Sequence, residues 1–185
     1  MKCEPMRKFN IVDGLLLIGA IALGLASNRS LPGTRMLNYY VNRDWGQESG
    51  LKLAAGVLMV WPWVAGLTIA ASWMRLRHPR PGRRRLFRQP GTIACASSLL
   101  ALGLCGLTLP ACSVLLLDWE YSRVIAYLSC LCPALGGIAI ASSWTIALLN
   151  GAWRRDPGWI DRLGFGLGIV WIAMTPFSLL FAFSL

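Results

Sequence analysis

Acidic residues and histidine are scarce in this chain. Its 185 residues include 8 aspartates and glutamates, against 18 lysines and arginines, and one histidine. That residue, His78, has no cysteine or acid in its loop, which argues against a metal site there. The sequence also lacks HExxH, GxSxG, a phosphate-binding loop and any pair of acids within an apolar segment. These absences predict a protein that is not an enzyme and that needs no metal or cofactor.

Charge is sparse overall and unevenly placed. Charged residues make up 14% of the sequence, whereas soluble chains average about 25%. Five apolar segments are each long enough for a membrane-spanning helix, which needs roughly 17–25 residues. They lack the period-two alternation of barrel strands. We therefore predict one all-α domain over 1–185, an integral membrane bundle of about five helices. The predicted spans are about residues 10–27, 51–74, 92–117, 124–149 and 163–185.

The densest positive charge lies between the second and third apolar segments, in the basic loop 75–91. This loop holds seven arginines and no acid: Arg75, Arg77, Arg80, Arg83, Arg84, Arg85 and Arg88. Such a cluster attracts anionic lipid headgroups, at about 1 kcal/mol per residue near the surface. Thirteen basic residues fall on this side of the spans and five on the other, which predicts a cytoplasmic N-terminus and an outer C-terminus. The net charge of +10 lies beside apolar runs, so the bilayer rather than nucleic acid is the expected partner.

Asp13 is the one acid inside an apolar segment. It follows Asn10 at the predicted helix start, where an acid faces the positive end of the helix dipole. Acids within membrane segments also mark proton or substrate sites, so both interpretations stay open. The first span further resembles a signal peptide, with small residues at 24–26 as a cleavage site. Asp13 and the length of the apolar run favour retention.

The N-terminal sequence carries a resemblance to known proteins. Basic residues are followed by Phe9, Ile11, Asp13 and then Leu-Ile-Gly-Ala-Ile-Ala-Leu-Gly-Leu-Ala. This start resembles the first span of small multi-span bacterial membrane proteins that are themselves uncharacterised, over about residues 1–27. The resemblance implies no function. We expect a multi-pass location, in a bacterial inner membrane.

Small residues mark one face of the third span and one face of the fourth. In the third span they recur at alternating steps of four and three, as Ala94, Ser98, Ala101, Cys105, Thr108 and Cys112. The fourth span repeats the pattern with Ser129, Cys132, Gly136, Ala139 and Ser143. Small residues let two helix backbones approach closely in lipid. Because the connection at 118–123 is short, we predict an antiparallel hairpin as the packing core, with leucine-rich faces toward lipid or the other helices.

The hairpin also predicts which residues face each other. The expected pairs are Cys112 with Ser129, Cys105 with Gly136, Ser98 with Ser143, Thr108 with Cys132, and Ala101 with Ala139. A metal or redox site built from Cys112, Cys130 and Cys132 is the alternative. Cys130 and Cys132 lack zinc spacing and point about 160° apart on a helix, which favours simple packing. In the fifth span, Gly164 and Gly168 form another small face, which suits helix packing or self-association.

Two functional hypotheses follow from these patterns. The first is a structural or accessory subunit of a membrane assembly, with a membrane-protein partner or a second copy. It expects sealed packing between the third and fourth spans. The second is a small transporter or channel subunit with an outer-side cavity near the membrane prolines, which are Pro62, Pro110, Pro133 and Pro176. Intramembrane charge and internal repeats are usual in transporters, and their scarcity favours the first hypothesis.

Overall fold

The computed structural model describes residues 10–30, 49–76, 89–115, 118–151 and 158–184, and these residues are almost entirely helical. The helices are α1 (Ile11–Ser30), α2 (Ser49–Leu58), α3 (Trp61–Leu76), α4 (Pro90–Leu115), α5 (Asp118–Leu149) and α6 (Trp159–Ser184). The first span is α1, the second is α2 with α3, and the third, fourth and fifth are α4, α5 and α6. We call the end where α1, α4 and α6 begin the basic end, since the basic loop follows α3 there, and the opposite end the far end.

The predicted membrane architecture is confirmed. Five helical stretches are long and apolar enough to cross a membrane: Ile11–Arg29, Lys52–Leu76, Pro90–Thr108, Leu131–Leu149 and Trp159–Phe183. Large apolar side chains cover the outside of the bundle, including Leu15, Trp73, Leu104 and Leu149. Such a surface would be unfavourable in water and is the expected surface in lipid.

Asp13 lies at the start of the first helix and is buried there. Its carboxylate accepts a hydrogen bond from the Asn10 backbone N–H at 3.2 Å, and the Asn10 side chain accepts one from the Ile11 N–H at 2.7 Å. These two bonds satisfy backbone donors that have no partner within the first turn of the helix. The geometry therefore accounts for Asp13 as a helix cap.

The second span is interrupted. A turn at 59–60 separates α2 from α3, and Pro62 then lies in the first turn of α3, where its missing N–H is tolerated. The Trp63 N–H bonds to the Val60 carbonyl, and the Asn28 side-chain amide donates to the Met59 carbonyl at 3.1 Å. The sequence predicts one span at 51–74, and within that span the helix ends and restarts.

Two helix starts lie earlier than predicted. The connection at 118–123 belongs to α5, since acids such as Asp118 favour the first turn of a helix. Helix α6, which is the fifth span, begins at Trp159 rather than near 163. The Gly158 carbonyl accepts a hydrogen bond from the Asp161 N–H at 3.1 Å. Asp161 thus stands in the first turn of α6 and not in a loop.

The core centres on Trp171 of the fifth span, which is completely buried. Around it pack Met74 from α3, Ala94 from α4 and Ile140 from α5. The most extensive helix contact is between α5 and α6, followed by α4 with α5. The predicted hairpin is therefore packed together, but it is not the core by itself. The small faces of α5 leave a groove that the large indole of Trp171 fills.

Candidate functional site: a buried polar track behind the arginine loop

A buried ion pair lies at the basic end, between α3 and α6. The Arg75 Nη2 is 3.3 Å from the Asp161 Oδ1, and the two side chains are 10% and 4% exposed. Each charge stands where its helix dipole favours it, because Arg75 is in the last turn of α3 and Asp161 is in the first turn of α6. The sequence had assigned Arg75 to lipid headgroups. That assignment is corrected, because the guanidinium turns inward to the one acid that α6 presents in its first turn.

A third helix joins the ion pair through its backbone. The Gly91 N–H of α4 donates to the same Asp161 Oδ1 at 3.0 Å. First-turn N–H groups have no partner within their own helix, so Asp161 caps α4 from a neighbouring helix. A Cβ at Gly91 would overlap the Asp161 carbonyl, and one at Gly164 would lie 2.7 Å from the Gly91 carbonyl oxygen. The site therefore depends on the close approach of the α4 and α6 backbones, which is possible because Gly91 and Gly164 have no side chains.

Polar contacts continue inward from the ion pair. The Ser72 hydroxyl donates to the Thr68 carbonyl at 2.7 Å. The Thr68 hydroxyl donates to the Val64 carbonyl at 2.7 Å and accepts from the Trp171 Nε1 at 3.1 Å. We call this series the polar track: Asp161, Arg75, Ser72, Thr68 and Trp171. From residue 75 to residue 68 it runs about 10 Å along α3.

Two aromatic side chains, Trp144 of α5 and Phe165 of α6, pack together beside the start of α4. The Trp144 Nε1 donates to the Pro90 carbonyl at 3.0 Å, which joins α5 to the start of α4. The Trp144 ring stacks on Phe165 with ring centroids 5.0 Å apart. A Cβ at Gly168 would lie 2.7 Å from the Trp144 ring and 2.9 Å from the Ala94 Cβ. Gly164 and Gly168 thus face α4, which places them in intrachain packing as predicted for a small face.

The predicted small faces point largely inward. In α4 the side chains of Ala94, Ser98, Ala101 and Cys105 are buried, while Thr108 is exposed. In α5, Cys132 and Gly136 are buried, and Ala139 and Ser143 are half-buried. Leu135 and Ile138 on the opposite face are exposed, as expected for a surface toward lipid. The side chains of Cys112, Ser129 and Cys130 lie outside the described residues.

The observed partners across the third and fourth spans differ from those predicted. Ser97, rather than Ser98, bonds to Ser143, with the two hydroxyl oxygens 2.8 Å apart. The Ser98 hydroxyl instead donates to the Ala94 carbonyl of its own helix at 2.6 Å. The sequence pairs Cys105 with Gly136 and Cys132 with Thr108, but Gly136 packs against Trp171 and the Thr108 hydroxyl donates to the Cys105 carbonyl of its own helix at 2.8 Å.

Gly136 and Gly137 of α5 pack against α6, the fifth span. A Cβ at Gly136 would lie 2.7 Å from the Trp171 ring, and one at Gly137 would overlap the Thr175 hydroxyl. The sequence assigned the whole small face of α5 to α4 because a short connection made those helices neighbours. A helix with small residues on adjacent positions packs two partners, and here the second partner is α6.

The remaining predicted headgroup residues, Arg77, Arg80, Arg83, Arg84, Arg85 and Arg88, lie outside the described residues. Sequence reasoning missed Asp161, Thr68 and Trp171 as parts of one site. A signal was available for Asp161, because an acid three residues after Gly158 and just before an apolar run stands in a first helical turn. Among the residues that the structure describes, no group of three or more His, Cys, Asp or Glu side chains comes together.

Most of these polar groups are paired, whereas the Arg75 Nε is buried without a hydrogen-bond partner among the described residues. The ion pair, the glycine N–H, two indoles and several hydroxyls find their partners on neighbouring helices or on their own. Interhelical hydrogen bonds hold membrane helices in register, at about 0.6 kcal/mol each on average. Compared with known proteins, the chain matches no family model, no curated protein and no solved structure.

Proposed function

We propose that this chain is a structural or accessory subunit of a membrane assembly. The observation that carries the proposal is the set of polar contacts that joins the second to fifth spans at the basic end. There Ser97 bonds Ser143, Trp144 bonds the Pro90 carbonyl, and Asp161 binds both Arg75 and Gly91. Polar groups that bond one another across helix contacts rigidify a bundle.

The proposed setting is a bacterial inner membrane with the basic end in the cytoplasm. The bias of basic residues toward that side supports the orientation, and the N-terminal resemblance supports the bacterial location. The arginines beyond Arg75 would then contact anionic lipid headgroups. Reporter fusions after Arg85 and at the C-terminus test the topology. We expect opposite sides of the membrane, and the same side for both would contradict the proposal.

Purification in a mild detergent tests the accessory role. We expect the chain to migrate in native gels as part of a larger assembly, with either a second membrane protein or further copies of itself. The variant Asp161→Asn, which removes the charge that ties three spans together, should reduce recovery of that assembly. A chain that is monomeric in lipid nanodiscs at native expression levels would contradict the role.

A small transporter or channel subunit is the second candidate, and the interrupted second span favours it. Discontinuous membrane helices form the substrate sites of several transporter folds, through the exposed backbone groups at the break. Here the break lies beside Trp61 and Trp63, whose indole nitrogens are buried with no acceptor among the described residues. Pro62 and Pro133 are buried, whereas Pro176 is exposed, so only part of the predicted proline set lies inside.

Flux measurements in liposomes separate the two candidates. The purified chain is reconstituted and tested with small cations, anions and amino acids, with empty liposomes as the reference. The accessory role expects no flux above that reference. A flux that the variant Asn28→Leu abolishes, while the exposed-face variant Ile21→Leu retains it, would favour the transporter, because Asn28 caps the carbonyl at the break.

A further inference from the structure

The outward face of α5 carries hydroxyl groups well inside a span. Ser142 and Thr145 are both exposed on this face, within the apolar stretch Leu131–Leu149. Ser142 lies seven residues, or about 10 Å, from the end of that stretch, which places it in the hydrocarbon. The exposed residues of α1 between Ile11 and Ala26 and of α6 between Gly166 and Phe183 include no hydroxyl. The outward face of α5 therefore differs from those of α1 and α6.

The Ser142 hydroxyl makes no hydrogen bond to any residue that the structure describes. Its neighbours are paired: the Thr145 hydroxyl donates to the Ala141 carbonyl at 2.8 Å, and the Ser143 hydroxyl lies 2.8 Å from that of Ser97. The hydrocarbon of a bilayer contains no water that could bond the group instead. A polar group without a partner is unfavourable in an apolar medium, so a partner from outside the described chain would stabilise Ser142.

Ser142 is also the central residue of a regular series. Exposed residues recur along α5 at alternating steps of three and four, as Leu135, Ile138, Ser142, Thr145 and Leu149. We call these five residues the α5 seam. A spacing of 3.5 residues is the one at which two helices pack continuously along a left-handed crossing. The smallest side chain of the seam stands at its centre, where it lets two backbones approach most closely.

We propose that the α5 seam binds the same seam of a second copy of this chain, across a two-fold axis along the membrane normal. This inference rests on the proposed role in an assembly and names the partner. Two copies inserted in the same orientation have parallel α5 helices, so each residue of the seam lies at the depth of its own counterpart.

The chemistry of the seam favours a second copy over a different protein. A serine hydroxyl both donates and accepts, so Ser142 and its counterpart satisfy each other. The leucines and isoleucine of the seam then meet identical apolar side chains. One polar position in an apolar seam also fixes the register of the two helices. A different protein would have to present a polar group of its own at the same depth.

Disulfide cross-linking in native membranes tests the contact. The parent chain keeps the buried cysteines Cys95, Cys105 and Cys132. Its other cysteines are removed by Cys3→Ser, Cys112→Ser and Cys130→Ser. With copper phenanthroline as the oxidant, Ser142→Cys should give a covalent dimer, because the position meets its own counterpart. Ala173→Cys is the matched control, since Ala173 is exposed in the middle of α6, and it should give none.

Energy transfer between donor-labelled and acceptor-labelled copies in liposomes measures the affinity, with all native cysteines kept. Ser142→Leu places a larger side chain at the centre of the seam and should raise the dissociation constant at least roughly tenfold. Ser142→Ala removes only the hydroxyl and should raise it about threefold, the average effect of one hydrogen bond in a membrane. Ala173→Leu adds bulk outside the seam and should leave it unchanged.

Two results would overturn the proposal. An assembly that persists in Ser142→Leu, with no covalent dimer from Ser142→Cys, would mean that another protein or another face makes the contact, and the accessory role would stand. Cross-linking of Ala173→Cys as efficient as that of Ser142→Cys would report random collision rather than a seam. A chain that is monomeric in every measurement would contradict the accessory role as well.

Discussion

The two ends of the bundle are held together in different ways. At the basic end, three helices meet through charge and backbone, with Asp161 joining Arg75 to the Gly91 N–H. At the far end, α2 packs on α6 through a cluster of apolar side chains, with Leu58 against Phe181. Lipid tails are as apolar as leucine, so apolar burial gives little net attraction between membrane helices. The comparison indicates that polar contacts at the basic end determine which helices pair, whereas the far end contributes packing of complementary shape.

The largest effect is expected from breaking the ion pair on one side only. Asp161→Asn leaves the Arg75 charge buried without its counter-ion, which destabilises a fold by about 3–5 kcal/mol. The free energy of unfolding by sodium dodecyl sulfate in mixed micelles measures this loss. Asn keeps the size of the side chain, so a loss of this magnitude would report charge rather than shape.

Removing both charges tests whether the unpaired charge of Arg75 causes that destabilisation. The double variant Arg75→Met, Asp161→Asn should be more stable than Asp161→Asn alone, because no unpaired charge remains inside. Additive destabilisation would contradict the paired burial, since independent sites add and coupled sites do not. At the far end no corresponding pair of charges exists among the described residues, so the two ends differ in this test.

A smaller effect is expected from adding one methyl group at the basic end. Gly91→Ala places a Cβ against the Asp161 carbonyl and 2.7 Å from its carboxylate oxygen. Backbone cannot yield as a flexible side chain does, so we expect a loss of about 1–3 kcal/mol in the free energy of unfolding. Gly103→Ala on the same helix is the matched control, because nothing lies within 4 Å of its Cβ position. Equal losses for both variants would place the cause in helix propensity and not in close approach.

Sequence patterns predicted the class of this fold but not its partners. Length and hydropathy give the five spans directly, since the bilayer fixes how long an apolar helix must be. Which face meets which helix depends on three-dimensional packing, and there the sequence misassigned Gly136 and Ser98. Each lies on a small face, but a face is wide enough to serve two neighbours. A short connection identifies one neighbour only, so the role of α6 was not predictable from the loops.

The polar track was equally hard to predict. Arg75 stands at the edge of an arginine-rich loop, so counting charges groups it with the six other arginines of that loop. Asp161 is the partner that separates it from them, and the two are distant in sequence. Only the packing of α3 against α6 brings the two charges together. Pairing of this kind requires the tertiary arrangement.

At the far end, truncation of a buried ring should have a modest effect. Phe181→Ala removes a fully buried side chain from the contact with Leu58, whereas Phe183, which is 85% exposed, faces outward two residues later. Of the roughly 3–5 kcal/mol that such a change costs in water, only the cavity part should remain in lipid, about 1–2 kcal/mol. Phe183→Ala should be close to neutral by the same unfolding measurement. If Phe181→Ala lowered the free energy of unfolding as much as Asp161→Asn does, the two ends would not differ in how they are held together.

The smallest effect, a single hydroxyl contact, tests the register of the third and fourth spans. Ser97 and Ser143 face each other at 2.8 Å, while the Ser98 hydroxyl bonds within its own helix. A double-mutant cycle of Ser97→Ala and Ser143→Ala should give a coupling of about 0.6 kcal/mol, the average for such bonds in membranes. Ser98→Ala with Ser143→Ala should show none. Because the sequence alone pairs Ser98 with Ser143, coupling in the second cycle and not in the first would restore that register.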